Sequence, residues 1–197
     1  MSQLPTQYIY SLEKLQQVWQ EGKRFKFAYF WNSTDEDAQQ ENYNSSCCNQ
    51  WFPCDFVDKN GIKYNCCEQY MMAQKATLFK DNEVLEKILS NNDPREIKKL
   101  GREVKNFDKE IWGQNCQEIV FQGNLYKFSQ NEKCKNYLLS VTNDTIFVEA
   151  SPFDAIWGIK LSEKKASKKT PLEWQGTNFL GFQITRVRDY LISNATQ

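Results

Sequence analysis

Hydrophobic residues recur at helical spacing along much of the chain, and typical capping residues precede several of these stretches. Asp93, Pro94 and Glu96 supply an N-cap, a first-turn proline and an acid in the order that a helix start favours. The pattern predicts helices after Ser11, at 65–79, after Asp81, after Asp93, from Asp108 towards Phe128, at 132–140 and at 180–191. Gly113 and Gly123 are expected to be able to interrupt the fifth of these.

Alternating and β-branched patterns predict a small number of strands. Residues 25–30 alternate as a strand does, and residues 145–150 form the clearest strand of the chain. Residues 54–57 and 62–64 flank the turn sequence Asp-Lys-Asn-Gly, which favours a hairpin. Residues 32–50 are polar and aperiodic, which predicts a loop that serves as a lid or an insertion. The expected fold class is α+β, a single helix-rich domain around a small β-sheet, with residues 1–24 as an N-terminal helical extension.

The helix at 65–79 has an unusual stripe on one face. At about 100° per residue, Glu68, Met72, Lys75 and Phe79 lie one above another. Asn65 is the expected N-cap, with Glu68 at the capping-box position. Charged groups on a face that should be buried are costly unless they are paired or line a cleft. The stretch therefore predicts a functional site.

Composition narrows the possible chemistry. The chain of 197 residues has 25 basic and 25 acidic side chains, so its net charge does not favour broad binding to duplex DNA or anionic membrane. It contains no histidine, which excludes Ser-His-Asp triads, Cys-His pairs and histidine metal sites. Acid–base chemistry must come from carboxylates, Lys, Tyr or Cys.

Seven cysteines and the absence of a secretory pattern near Met1 predict reduced thiols and an intracellular, cytoplasmic protein. No apolar run is long enough to span a bilayer, so no membrane partner is expected. The adjacent pairs Cys47-Cys48 and Cys66-Cys67 do not have the usual spacing of zinc ligands. Small buried hydrophobic residues are the favoured interpretation, and a thiol-based metal or redox site is the alternative.

A second candidate site follows the clearest strand. Glu149 ends this strand, and a turn then leads through Asp154 to Trp157 and Gly158. Trp157 offers a flat surface for stacking a base, and Gly158 lets a ligand approach the backbone. The alternative interpretation is that Asp154 caps a turn and Trp157 belongs to the core.

Six motifs occur in an order that resembles the NADAR superfamily, also called YbiA-like proteins, over roughly residues 27–192. They are Trp51–Pro53, Tyr64–Ala76, Lys99–Arg102, Lys127–Asn131, Glu149–Gly158 and Trp174–Gly181. The resemblance extends the main domain over residues 25–197. The chain departs from the family pattern at two positions. Cys48 precedes Asn49 where the family usually has serine, and Lys160 stands where the family usually has glycine. Lys160 is expected to narrow the pocket mouth or to contact a phosphate.

The resemblance implies an N-glycosidase without a cofactor or a metal. Some relatives split ribosylamino-pyrimidine intermediates of riboflavin synthesis, and others remove ADP-ribose from guanine bases. Breaking an N-glycosidic bond builds positive charge on the sugar carbon, which suits two carboxylates, here Glu68 and Asp154. Lys75 is the candidate nucleophile of a second route through a Schiff base.

The remaining candidates are expected to bind the substrate. They are Trp112 and Trp157 as base or ribose platforms, Gly158, Trp51, and Arg102, which is either a phosphate ligand or the partner of an acid. The expected partner is a small nucleotide or ADP-ribose-type substrate, including a guanine at the end of, or flipped out of, ADP-ribosylated DNA or RNA. The alternative function is a non-catalytic module that binds ADP-ribose or a related nucleotide.

Overall fold

The computed structural model describes residues 8–33 and 36–195. Residues 1–7 of the predicted N-terminal extension, residues 34–35 of the predicted loop and residues 196–197 lie outside the described part. The helices are α1 Leu12–Gln20, α2 Cys67–Leu78, α3 Asn82–Leu89, α4 Pro94–Arg102, α5 Lys109–Gln130, α6 Glu132–Ser140, α7 Glu163–Ala166 and α8 Phe179–Ala195. The strands are β1 Lys26–Phe30, β2 Phe56–Val57, β3 Lys63–Tyr64 and β4 Thr145–Glu149.

The parallel pair of β1 and β4 lies at the centre of the fold. Its register runs from Lys26 opposite Thr145 to Phe30 opposite Glu149. Side chains of β4 alternate between two hydrophobic cores: Phe147 packs with helix α8, and Ile146 and Val148 pack with helix α1. Both faces of the strand are therefore covered, which explains its continuous hydrophobic run. The expected α+β class and the helix-rich domain around a small sheet are confirmed.

Most predicted elements are present, including the hairpin of β2 and β3 with Gly61 at a φ of 81° in its turn. The division into residues 1–24 and 25–197 stays a prediction, although α1 packs against the sheet that α8 covers from the other side. Gly113 and Gly123 do not interrupt α5, so that expectation is wrong. A Cβ on Gly123 would lie 2.6 Å from the Tyr70 ring, which shows that this glycine allows α2 and α5 to approach closely.

The polar segment at 32–50 is more ordered than its composition predicts. Its described residues form two 3-10 helices, Asp37–Gln39 and Ser45–Cys48. Cys47 and Cys48 are fully buried in the main core, so the second half of the segment is fixed rather than free to act as a lid. Burial of these thiols outweighs the polar character of the surrounding residues.

The cysteines and helices bear on two further expectations. All seven cysteines are buried free thiols, as expected for small hydrophobic residues. Among the described residues, no group of three or more Cys, Asp or Glu side chains is arranged to hold a metal ion. None of the helices in the described ranges combines the length and the apolar character that crossing a bilayer requires.

Candidate active site

A cavity of about 570 Å³ opens where the parallel strands β1 and β4 end. This volume lies within the range of small-molecule sites, which is roughly 300–1,000 Å³. Helices α2, α4 and α5, the segment before β2 and the loops after β1 and β4 contribute its lining. The lining residues are Trp31, Asn32, Asn49, Gln50, Trp51, Glu68, Met71, Met72, Lys75, Lys98, Gly101, Arg102, Trp112, Glu149, Ser151, Phe153, Asp154, Trp157 and Leu180.

Glu68 enters this cavity from the first turn of α2. The expected capping box is wrong: Cys66 is the N-cap, and the backbone N–H of Asn65 is bonded to Gln69 Oε1 at 2.8 Å instead. The carboxyl group of Glu68 is therefore not used to cap its own helix. Burial raises the pKa of Glu68 above its ordinary value, whereas Lys98 and a hydrogen bond from the Trp51 side chain oppose that rise. The result is a buried acid held within a ligand-sized cavity.

Three cationic side chains line the same cavity. Lys75 follows Glu68 on α2, and Lys98 and Arg102 come from α4. Lys75 Nζ lies 4.2 Å from the Phe107 ring centre and 5.6 Å from that of Trp112. Burial, and then the charge of Arg102, lower the pKa of Lys75. The predicted stripe of Glu68, Met72 and Lys75 is thus the face that α2 presents to the cavity.

Asp154 belongs to a tightly bonded loop after β4. Its Oδ1 accepts hydrogen bonds from the backbone N–H groups of Ile156 and Trp157, both at 2.8 Å. The backbone N–H of Asp154 in turn donates to Ser151 Oγ at 3.2 Å. The two interpretations of Asp154 therefore hold together, since it caps a turn and lines the cavity.

Glu149 is a third acid in the cavity, and it was not among the predicted site residues. Its Oε2 is buried and has no hydrogen-bond partner in the described part of the chain. Burial, and then the charge of Asp154, raise the pKa of Glu149 to about 8. The sequence contained one signal for it, an acid at the last position of the clearest strand.

Aromatic side chains form much of the remaining wall. Trp51, Trp112 and Trp157 all line the cavity, as the predicted binding role requires, and Trp31 joins them. The ring centres of Trp31 and Phe153 lie 5.9 Å apart, so the loops after β1 and β4 meet at the cavity. Flat indole faces beside carboxyl groups suit a ligand that combines a base with a sugar.

Two predicted positions lie outside the lining. Gly158 is buried against the strand, where a Cβ would lie 2.8 Å from the backbone oxygen of Glu149. Its small size therefore permits close packing of the loop rather than ligand approach. Lys160 is exposed, adopts a positive φ of 53° and does not line the cavity, so its expected place at the pocket mouth is wrong. Lys98, by contrast, lines the cavity and lacked a distinctive sequence signal, since most lysines of amphipathic helices are solvated.

The site thus combines buried acids, cations and indole rings without histidine. Such a set can stabilise a developing positive charge on a sugar, transfer protons and bind an anionic group, and each of these steps needs only carboxyl, ammonium or guanidinium groups.

Comparison with known proteins shows which family the chain is similar to. A family model described as NADAR domain matches residues 29–192. An N-glycosidase of Acanthamoeba polyphaga mimivirus is 44% identical over 144 residues, which are 71% of this chain and 84% of that protein. Protein irg-1 of Caenorhabditis elegans is 37% identical over 132 residues, which are 66% of this chain and 62% of that protein.

Two further similarities concern the fold and one part of a longer protein. A riboflavin biosynthesis protein of Vibrio vulnificus is 32% identical over 108 residues, which are 55% of this chain and only 28% of that protein. The solution structure of the Escherichia coli protein YbiA superposes with a TM-score of 0.68 over 88% of this chain and 89% of YbiA. The sequence identity to YbiA is 20%, so this similarity shows a shared fold.

Proposed function

The chain belongs to the NADAR domain family and is a glycosidase, and we propose that it hydrolyses the N-glycosidic bond between a ribose and a base. The substrate class is a phosphorylated N-riboside, either ADP-ribosylated guanine or a ribosylamino-pyrimidine of the kind used in riboflavin synthesis. Both contain a base, a ribose and at least one phosphate. The similarity to a riboflavin biosynthesis protein supports the second.

One observation carries this proposal: Glu68 is buried in a ligand-sized cavity that indole rings and cationic side chains also line. In the proposed reaction, the carboxylate of Glu68 faces the sugar carbon, stabilises its positive charge and activates a water molecule. The base lies against Trp112 or Trp157, and Arg102 and Lys98 bind the phosphate. Asp154 adds a second negative charge near the sugar.

This site suits a single nucleotide unit. A guanine in nucleic acid would need to be terminal or flipped out of its stack to enter it. The equal numbers of acidic and basic side chains agree with recognition of one nucleotide unit rather than a long duplex. ADP-ribosylated DNA or RNA is therefore a proposed partner only through such an accessible base. The intracellular location likewise stays a prediction from the free thiols.

The test is hydrolysis of both substrate types, a ribosylaminouracil 5′-phosphate and an ADP-ribosylated guanine nucleotide, followed by release of the free base. Wild type is expected to cleave at least one of them, and Glu68→Gln is expected to lower kcat by about 100-fold or more. Glu86→Gln, on the exposed side of α3, is the matched control and should behave as wild type. Tight binding of ADP-ribose by calorimetry, with no base released from either substrate, would establish a binding module instead.

A further inference from the structure

Glu149 lies at the end of the central parallel strand pair, and hydrogen bonds hold its backbone there. It is the last residue of β4 and lies opposite Phe30 in the parallel pair. Its backbone N–H donates to Asn178 Oδ1 at 3.0 Å, and its backbone oxygen accepts from the N–H of Ile159 at 3.0 Å. Asn178 is itself fully buried. The backbone of Glu149 is thus fixed on both edges, which gives its side chain a defined position in the cavity.

The carboxyl group of Glu149 has no internal partner that explains its position. Three buried side-chain atoms of the described residues lack a hydrogen-bond partner, and the Glu149 Oε2 is the one that belongs to a cavity-lining residue. No cation forms an ion pair with it in the described ranges. A buried polar atom without a partner is costly, so its retention in a cavity points to a ligand group as its partner.

Hydrogen-bond partners distinguish Glu149 from the other two acids. Burial raises the pKa of Glu68, but its carboxyl group accepts a hydrogen bond from Trp51 and lies near Lys98 and Arg102, and these three oppose that rise. Asp154 Oδ1 accepts two backbone N–H groups. Burial and the charge of Asp154 raise the pKa of Glu149 to about 8, against the weaker opposing effect of Lys98, so its proton is retained at neutral pH.

We propose that Glu149 is the general acid that protonates the departing base, while Glu68 acts as the base toward water. This inference rests on the proposed N-glycosidase function and assigns a third acid to it. Two acids that differ in the groups around them, here Glu68 with hydrogen-bond donors and cations and Glu149 with a buried, unpartnered oxygen, commonly divide the acid and base roles in this way. It assigns the role of proton donor to Glu149, while Asp154 holds the loop and supplies a negative charge near the sugar.

The proton and electron count is complete. The bond between the anomeric carbon and the base nitrogen breaks, and its electron pair goes to the base. The base receives the Glu149 proton, while the water oxygen bonds to the anomeric carbon and one water proton passes to the Glu68 carboxylate. Return of that proton to Glu149 through solvent restores both groups, so no other reactant is needed.

The test compares leaving groups in Glu149→Gln, which keeps the side-chain shape but has no acidic proton. With whichever N-riboside phosphate the wild type hydrolyses, kcat is expected to fall by about 100-fold or more. With 4-nitrophenyl β-ribofuranoside, whose leaving group departs as a stable anion, it should fall by less than about threefold. The loss of kcat/KM above pH 8 in wild type should also disappear. Glu86→Gln is again the control.

Three results would overturn the assignment. Glu149→Gln could keep the wild-type kcat on the N-riboside, or it could lose activity equally on both leaving groups, as a structural role predicts. A titration of ¹³C-labelled glutamate carboxyls could also show the Glu149 signal already ionised below pH 6, a result independent of activity. If wild type itself releases no base from any N-riboside, the proposed function is wrong and this assignment is wrong with it. If wild type and Glu149→Gln are both fully active, only the assignment of Glu149 is wrong.

Discussion

Lys75 Nζ donates a 2.6 Å hydrogen bond to the backbone oxygen of Gly101, and this bond joins α2 to α4 at the edge of the cavity. The two helices can approach this closely because residue 101 is a glycine. A Cβ at this position would lie only 2.0 Å from Met72 Sδ. Lys75 is therefore held by a helix end and by the Phe107 ring rather than by an acid. Its nitrogen is positioned before any substrate arrives.

Lys75→Met is expected to raise KM more than it lowers kcat, because the fixed positive charge attracts an anionic substrate and the carboxyl groups perform the chemistry. A change of roughly 10-fold in KM corresponds to about 1.4 kcal/mol. Steady-state kinetics measures it, and Lys75→Arg should retain most of the binding. Borohydride added during turnover should leave the mass of the protein unchanged, whereas a reduced adduct on Lys75 would establish the Schiff-base route instead.

Trp157→Ala is expected to weaken substrate binding by about 1–3 kcal/mol, the range found for stacking of a base on an aromatic ring. Its ring meets Phe179 edge to face at 6.0 Å, which leaves a flat face for a ligand. KM should rise while Trp157→Phe keeps much of the affinity. Trp19→Phe, which lies outside the cavity lining, is the control. An unchanged KM in Trp157→Ala would exclude stacking there.

Two substitutions separate the structural role of Asp154 from its role in the reaction. Asp154→Asn keeps an oxygen that can accept from Ile156 and Trp157, so it should preserve the melting temperature and lower kcat. Asp154→Ala removes both hydrogen bonds and should in addition lose about 1–3 kcal/mol of stability. Thermal unfolding and kinetics, measured on both variants, test this. An equal kcat in Asp154→Asn and wild type would show that Asp154 only holds the loop and takes no part in the reaction.

Stability should depend on pH through Glu149. Its pKa is raised from 4.5 to about 8 in the folded protein, so the folded state holds a proton that the unfolded state releases between these values. The contribution of this group to stability is therefore full below about pH 4.5 and falls as the pH rises towards 8. Urea unfolding at pH 5, 6, 7 and 8 should show a steeper decline for wild type than for Glu149→Gln. Parallel declines would contradict a protonated Glu149.

Lys160→Gly is expected to raise stability by up to about 1 kcal/mol, because a left-handed backbone is costly for a residue with a Cβ. Lys160 has a φ of 53°, and the side chain is exposed outside the cavity lining. Its kcat and KM should equal those of wild type. Lys160→Ala keeps the strain and serves as the matched control for loss of the charge. A large change in KM for Lys160→Ala would instead support the predicted contact between Lys160 and a phosphate of the substrate.

Local patterns predicted the parts of the fold that local physics decides. Three signals act within a few residues and identified their elements correctly: the first-turn proline of α4, the Asn-Gly turn between β2 and β3, and the β-branched and aromatic residues of β4. Asn65 was misplaced as a cap because a longer-range alternative existed: Gln69 bonds its N–H, and the N–H of Glu68 reaches the backbone oxygen of Gln50. Propensity does not include such partners.

The sequence by itself determined every helix except the short α7, the two main strands, the exclusion of histidine chemistry and the stripe that brings Glu68 and Lys75 to one face. Only the tertiary structure decided which groups share the site and in which charge state. Glu149 and Glu68 share the site because the end of β4 and the first turn of α2 line the same cavity, and the raised pKa of Glu149 depends on burial beside Asp154. Desolvation and the proximity of distant segments set both properties, and neither can be obtained from the spacing of residues along the chain.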